Sequence, residues 1–110
     1  MESETVRIWT RDFTADGFEA AHAGTLPGLL GMRVTEVGPD FVRAAMPVDE
    51  RHIQPYGILH GGGSVVLAET VGSFAGAMAA PDGHRVVGVE VNANHLAPVR
   101  KGDEVTALCR

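Results

Sequence analysis

Residues 54–80, QPYGILHGGGSVVLAETVGSFAGAMAA, decide how the rest of this chain is organised. A turn-like segment with Pro55 and Gly57 leads into consecutive glycines, and a long apolar run follows until Pro81. This run is too long and too rich in alanine and leucine for a strand, so it predicts a helix from Gly61 to Ala79. Because apolar side chains occur on every face of it, we expect the protein to surround this helix.

One carboxylate, Glu69, stands in the middle of this apolar helix. A buried charge is costly unless it has a partner, and a reaction that needs it is the usual reason for keeping it. Glu69 is therefore a candidate base or nucleophile, with a structural carboxylate as the alternative. Ser73 lies one turn further on the same face and is suited to hydrogen-bond Glu69. No Asp/His pair stands at a spacing that would make Ser73 a triad nucleophile, so we assign it a supporting role, or mere packing.

The glycines at the start of the predicted helix, which follow His60, form a second candidate site. Glycines allow close approach, and the first N–H groups of a helix have no partner within it. Such a helix start can hold an anion or a developing oxyanion; the alternative is a flexible junction between loop and helix. Lipase-like hydrolases also use a His-Gly-Gly-Gly loop, but this sequence lacks their Gly-x-Ser-x-Gly nucleophile elbow. The glycine run also does not match a dinucleotide-binding fingerprint.

The segments on either side of the central helix predict short strands and one further helix. In chain order we predict a helix over Thr14–Gly24 with Thr14 as its N-cap, a loop over Thr25–Gly31, and strands over Met32–Val37, Phe41–Val48, Arg85–Asn94 and Glu104–Arg110. The first two strands are close enough for an antiparallel hairpin, and the valine-rich third is the strongest strand signal. The sequence thus predicts an α+β domain in which an antiparallel sheet curls around the central helix. Four strands would leave part of the central helix uncovered. We therefore expect either further strands or a partner subunit to cover the rest of the helix.

The composition excludes several classes of protein. The chain has 110 residues, 45% of them apolar, and a net charge of −5, which suits one domain over residues 1–110 and not a nucleic-acid-binding surface. The single cysteine, Cys109, excludes an intrachain disulfide. Met1 to Asp12 is charged and has no apolar segment of the kind found in a secretion signal. Glycines and a charge argue against the central helix as a membrane span. We therefore expect a cytoplasmic protein that binds neither nucleic acid nor membrane.

The histidines show no metal-ligand spacing, so a zinc site has little support. His95 ends the predicted valine-rich strand, where side chains emerge at the rim of a site, although a surface histidine is the alternative. His22, His52 and His84 are expected to face solvent.

Five different short motifs follow one another along residues 54–95 at characteristic spacings. They are Gln54-Pro55-Tyr56-Gly57, Leu59-His60-Gly61-Gly62, Leu67-Ala68-Glu69-Thr70, Gly72-Ser73 and Val89-Glu90-Val91-Asn92-Ala93-Asn94-His95. As a set they resemble the hotdog-fold acyl-CoA thioesterases, and among these the aromatic acyl-CoA branch: the 1,4-dihydroxy-2-naphthoyl-CoA, 4-hydroxybenzoyl-CoA and phenylacetate-degradation enzymes. The resemblance covers Gly31 to Arg110. The joint pattern is specific for the family and only weak evidence for one substrate.

The resemblance implies the catalytic roles. Glu69 would attack the thioester carbonyl or activate the water that does. The Gly61 N–H would bind the thioester oxygen, assisted by Gln54. In this family the site is shared across the subunit interface of a homodimer or homotetramer, with Glu69 of one subunit facing Gln54 and His60 of the other.

The resemblance also implies supporting roles around the reacting groups. His60 would position Gln54 and the acyl group, and Ser73 would support Glu69 and the hydrolytic step. His95 and Gly62 would line the substrate pocket, His95 near the attacking water. The substrate would be an acyl-CoA, and no metal or bound cofactor is implied.

Relatives of this kind continue for further strands beyond the position that matches Arg110, so the resemblance implies a sheet that is incomplete at its C-terminal end. Two other functions are weighed against the thioesterase. A hotdog hydratase or dehydratase places an Asp/His or His/Glu pair differently, and the set of Gln54, His60, Glu69 and Ser73 does not suggest one. The other alternative is an inactive acyl-CoA-binding or oligomerisation module.

Overall fold

The computed structural model describes residues 6–110, so the first five residues of the charged N-terminal stretch, where no secretion signal is expected, lie outside it. Its elements are α1 (Ala15–His22), α2 (Leu26–Leu29), β1 (Arg33–Val37), β2 (Val42–Pro47), α3 (Gly61–Ala79) and β3 (Glu104–Cys109). The α+β class, the central helix and the β1–β2 hairpin are confirmed. The segment 25–31, predicted as a loop, contains α2, because Pro27 occupies its first turn, where a missing N–H costs nothing.

The central helix α3 packs one face against the sheet and leaves another open. Its buried side chains follow helical spacing: Leu67, Val71, Phe74, Ala75 and Met78. Ala68, Glu69 and Gly72, on another face, are exposed. The sheet of this chain covers only one side of the helix, as expected from so few strands, so protein does not surround the helix within one chain.

The sheet has three antiparallel strands in the order β1-β2-β3. β2 lies in the centre, pairing Val34 with Ala44 on one side and Ala107 with the same Ala44 on the other. Alternate residues of β2 enter the core, as the period of a strand requires, and Val42, Ala44 and Met46 are fully buried. α3 contacts both β2 and β3, so the core lies between helix and sheet.

Residues 84–96 form no strand, so the prediction of a strand over Arg85–Asn94 is wrong in this chain. Val87 and Val89 are 79% and 95% exposed. Valine favours strands because it packs well on a pleated, half-buried surface, and a strand also needs a hydrogen-bonded neighbour. Within the described residues, no strand of the sheet lies beside this segment to supply one. The valine-rich sequence favours a strand, but the described chain has no neighbouring strand to pair with it.

The N-terminal segment fastens α1 and the end of α3 to the core. Thr14 caps α1 as predicted, accepting a hydrogen bond from the Gly17 N–H at 3.0 Å. The Trp9 Nε1–H donates to the Gly38 carbonyl at 2.6 Å. The ring of Phe13 packs edge-on against Phe74 of α3, with 5.3 Å between ring centroids. None of the helices in residues 6–110 has both the length and the apolar character needed to cross a bilayer.

Candidate active site

The loop that leads into α3 is held by a buried histidine. His52, expected at the surface, is only 3% exposed. Its Nε2–H donates to the Leu30 carbonyl at 2.7 Å, and its Nδ1 accepts from the Asp49 N–H at 3.0 Å. Both ring nitrogens are thus satisfied, which is the condition for burying an imidazole. The prediction of a solvent-facing His52 is wrong because the sequence of a polar loop does not reveal a hydrogen-bond partner 22 residues away.

Asp49 and Arg51 fix the same loop from outside. The Asp49 carboxylate accepts hydrogen bonds from the Arg51 backbone N–H and guanidinium, and Arg51 also donates to the Leu29 carbonyl at 2.7 Å. These Arg51 hydrogen bonds hold the pKa of the Asp49 carboxyl well below its ordinary value. The ion pair therefore forms over the whole neutral range and joins this loop to α2.

Gln54 stands in a tight turn just before the helix. The Gln54 N–H donates to the Ile58 carbonyl at 2.8 Å, and Gly57 takes a positive φ of 83°, which glycine adopts without strain. The Gln54 side-chain oxygen accepts a hydrogen bond from the Tyr56 N–H. Since that oxygen is engaged, the amide NH₂ of Gln54 is the group left to donate to a ligand.

His60 caps α3 and leaves one amide of the helix start free. Its Nδ1 accepts from the Gly62 N–H at 2.8 Å, so the Gly62 amide, assigned by resemblance to the substrate pocket, is already engaged. No described residue accepts a hydrogen bond from the Gly61 N–H. The first turn of a helix carries partial positive charge. The unpaired Gly61 donor therefore fits the predicted oxyanion position.

Gln54, Gly61 and His95 line one cavity of about 430 Å³, which we call the helix-start cavity. The His95 ring lies directly over Gly61: a Cβ added there would come within 2.8 Å of His95 Nε2. The structure thus brings together three residues that the sequence placed in the site. Ser64, in the first turn of α3, lines the same cavity and was missed; its only sequence signal is its place three residues after Gly61.

Glu69 and Ser73 line a different cavity of about 400 Å³, which we call the mid-helix cavity. Glu69 is exposed and not buried, which corrects the expectation from its apolar helix. No hydrogen bond joins it to Ser73 anywhere in residues 6–110, although the two share a face. Gly88 lies so close to the Glu69 carboxylate that a Cβ there would clash with it. The sequence analysis also missed Gly88. The available signal was a glycine within a run of valines, which often marks a place where another group approaches the backbone closely.

The two cavities do not meet within one chain. Both lie along α3, and since a helix rises about 1.5 Å per residue, Glu69 stands on the order of 12 Å from Gly61 along the axis. An unpaired amide donor and a carboxylate are therefore both present, but they are separated. In residues 6–110, no three His, Cys, Asp or Glu side chains are grouped closely enough to hold a metal ion.

Residues 56–110 match the model of the Thioesterase superfamily. The chain belongs to this family, and its α+β architecture is the hotdog fold of these thioester hydrolases. The resemblance inferred from the short motifs is thereby confirmed.

Particular relatives share most of their length with this chain. It is 46% identical over 100 residues to a putative esterase of Haemophilus influenzae, a match that covers 91% of this chain and 72% of the relative. It is 45% identical over 103 residues to the 1,4-dihydroxy-2-naphthoyl-CoA hydrolase of Escherichia coli, covering 94% and 75%. The crystal structure of a Haemophilus influenzae thioesterase superposes with a TM-score of 0.87 at 44% identity, covering 92% of this chain and 70% of that one. The crystal structure of a mutant thioesterase of Pseudomonas aeruginosa superposes with a TM-score of 0.89 at 39% sequence identity. The match covers 94% of this chain and 74% of that one.

Proposed function

We propose that this chain hydrolyses an aromatic acyl-CoA thioester to the free acid and CoA, in a site shared between two subunits. The observation that carries the proposal is the division of the site along α3. A free amide donor lies at the helix start, and the only acidic side chain of the helix lies in another cavity. The aromatic preference rests on the similarity to the Escherichia coli relative, whose name states a naphthoyl-CoA substrate.

The helix-start cavity supplies the electrophilic half of the reaction. The thioester oxygen accepts hydrogen bonds from the Gly61 N–H and the Gln54 NH₂, which stabilise the negative charge that develops as the carbonyl is attacked. His60 holds the first turn in place through its cap and presents its other ring nitrogen, which carries the proton, toward solvent or substrate. His95, whose ring lies over Gly61, bounds the place where the carbonyl must enter.

The mid-helix cavity supplies the nucleophilic half. The Glu69 carboxylate either attacks the carbonyl carbon, expelling CoA thiolate and leaving an anhydride that water cleaves, or removes a proton from the attacking water. Both routes consume one water and yield acid and thiol. Ser73, one turn away on the same face, supports Glu69 in the hydrolytic step. Its hydroxyl can donate to the carboxylate or hold the water.

A second copy of the chain brings the two halves together. Glu69 cannot reach the carbonyl held at Gly61 of its own helix, because about two turns of helix separate them. In a two-fold dimer the same face of α3 is presented by both subunits, so Glu69 of one can face Gln54 and Gly61 of the other. The exposed face of α3 and the exposed valines nearby support such an association.

Glu69→Gln tests this function, because glutamine keeps the shape of the side chain and removes its ability to act as a nucleophile or base. We expect kcat with benzoyl-CoA to fall by at least about 100-fold, with CoA-ester binding and Tm nearly unchanged. Glu90→Gln is the matched control, since Glu90 lines the same cavity but hydrogen-bonds Asn92. Near-native turnover together with a lowered Tm would make Glu69 a structural carboxylate. Binding of CoA esters without turnover in the wild type would favour the inactive acyl-CoA-binding module.

A further inference from the structure

Ser64 brings a hydroxyl to the helix-start cavity that no other described residue engages. It lies half-buried in the first turn of α3 and lines the cavity together with Gly61 and His95. A serine inside a helix often donates to the carbonyl four residues earlier, which here belongs to His60. That carbonyl instead accepts from the Gly63 N–H at 2.9 Å, and within the described residues the Ser64 hydroxyl has no hydrogen-bond partner. The hydroxyl can therefore donate to a bound molecule.

The position of Ser64 places this donor beside the expected thioester. Side chains three residues apart on a helix share a face, with about 5–6 Å between their Cβ atoms, so Ser64 lies next to the site of the Gly61 N–H. The carbonyl oxygen has two lone pairs, which the Gly61 N–H and the Gln54 NH₂ already satisfy. The sulfur of a thioester is bonded to the same carbonyl carbon as that oxygen. A thioester held at Gly61 therefore brings its sulfur within reach of Ser64.

The sulfur is the reacting atom that still lacks a partner. In the tetrahedral intermediate the carbonyl carbon carries the oxygen, the nucleophile, the acyl group and the sulfur. The oxygen has the two donors of the helix-start cavity, and the nucleophile comes from the Glu69 half of the site. The acyl carbon is apolar and needs no donor. Negative charge develops on the sulfur as its bond to carbon breaks, so a donor directed at this atom lowers the barrier.

We infer that the Ser64 hydroxyl donates a hydrogen bond to the thioester sulfur and stabilises the departing CoA thiolate. The inference rests on the proposed function, which places the carbonyl oxygen at Gly61. When Glu69 acts as the nucleophile, a bond forms between its carboxylate oxygen and the carbonyl carbon, and the C–S bond breaks. The bonding electron pair leaves with the sulfur. Ser64 keeps its proton, and the released thiolate takes a proton from water.

The need for such a donor follows from the two groups that compete to leave. The intermediate can expel either the Glu69 carboxylate, whose acid has an ordinary pKa of about 4.3, or a thiolate, whose thiol has one of about 8.5. The weaker base leaves more readily, so the intermediate returns to substrate unless the thiolate is stabilised. A hydrogen bond to a charged group changes a rate by about 10- to 100-fold. Ser64 thus favours the productive direction of breakdown.

The kinetic test compares benzoyl-CoA with benzoyl thioesters of 4-methoxy-, 4-chloro- and 4-nitrothiophenol in the wild type and in Ser64→Ala. We expect Ser64→Ala to lower kcat/KM for benzoyl-CoA by about 10- to 100-fold. The loss should become smaller as the thiol becomes more acidic, because a weakly basic thiolate leaves without help. Ser64→Thr, which keeps the hydroxyl, should retain the wild-type dependence on thiol acidity. Equal losses of Ser64→Ala on every ester, or no loss, would overturn the inference.

Thr70→Val is the matched control, because it removes a hydroxyl from the same helix and keeps the shape of the side chain. Thr70 borders a different cavity, so this change should leave the dependence on thiol acidity as it is in the wild type. If Thr70→Val steepens that dependence as much as Ser64→Ala does, the effect does not come from a contact with the sulfur. That result would also overturn the inference.

Binding of free CoA decides the inference separately from the proposed function. Between about pH 7 and about pH 10 the thiol of CoA ionises, and a donor at the sulfur favours the thiolate. We expect the affinity for CoA, relative to desulfo-CoA, to rise with pH in the wild type and to stay constant in Ser64→Ala. If the wild type hydrolyses no acyl-CoA, the proposed function fails, and this pH dependence still shows whether Ser64 binds the sulfur. A wild type whose relative affinity does not change with pH refutes the contact.

Discussion

At the scale of single residues, the glycines at the start of α3 are not equivalent. A side chain at Gly61 would meet the imidazole of His95 in the helix-start cavity. A side chain at Gly63 would instead meet Leu59 and Met46, which belong to the core. One glycine therefore borders the cavity where the thioester oxygen is expected, and the other borders the interior.

We expect Gly61→Val to lower kcat/KM by about 10²- to 10³-fold, because the branched side chain blocks the approach of the carbonyl to the N–H donor. Gly63→Val should lower Tm, with kcat retained well below that temperature. Steady-state kinetics and thermal denaturation of both variants separate these effects. Equal losses at the two positions that follow stability alone would mean that the glycines serve packing, and the oxyanion role would have to be abandoned.

At the scale of elements, the loop between β2 and α3 is positioned by contacts far from its own sequence. Arg51 and His52 donate hydrogen bonds to the carbonyls of Leu29 and Leu30, at the C-terminal end of α2. The Gln54 turn follows immediately. The placement of the Gln54 amide therefore depends on α2, a four-residue helix that the sequence did not predict.

The ion pair of Asp49 makes the stability of this loop dependent on pH. Arg51 lowers the pKa of Asp49 in the folded state. The ion pair therefore contributes fully to the stability of the folded state above the unfolded pKa of about 4, and this contribution is lost as pH falls toward the folded pKa. We expect Asp49→Asn to lower Tm at pH 7, and the difference from wild type to shrink below about pH 4. Thermal melts across that range measure it. Asp82→Asn, in the turn after α3, serves as the control, and a gap that stays constant with pH would contradict the assignment.

At the scale of the whole molecule, the proposed function divides the site between two copies of the chain. The open face of α3 carries Glu69, and the adjoining segment 84–96 carries exposed valines. Apolar surface of this kind marks a contact with another molecule. We expect no stable monomer at micromolar concentration by sedimentation.

Mixing two inactive variants tests whether a site is shared. In a heterodimer of Glu69→Gln with Gly61→Val, one site receives the intact Glu69 of one chain and the intact Gly61 of the other. We expect turnover to recover to about a quarter of wild type after subunit exchange, because random pairing leaves that share of sites intact. If each site lay within one chain, every site would carry a defect and no activity would return. A compact, well-folded monomer in sedimentation would also exclude the shared site.

The sequence by itself determined the features that depend on neighbours along the chain. The bounds of α3, the Thr14 cap and the β1–β2 hairpin rest on glycine, proline, capping and alternation signals acting within a few residues. The grouping of Gln54, Gly61 and His95 in one cavity was also anticipated, from the family pattern. Tertiary structure alone decided the rest.

Whether 85–94 becomes a strand depends on a neighbouring strand, and none lies beside it in the described chain. His52 is buried because the Leu30 carbonyl, distant in sequence, accepts a hydrogen bond from its Nε2–H. Glu69 is exposed because the sheet covers only the other face of α3. Such outcomes depend on contacts between distant residues, which local sequence patterns do not record.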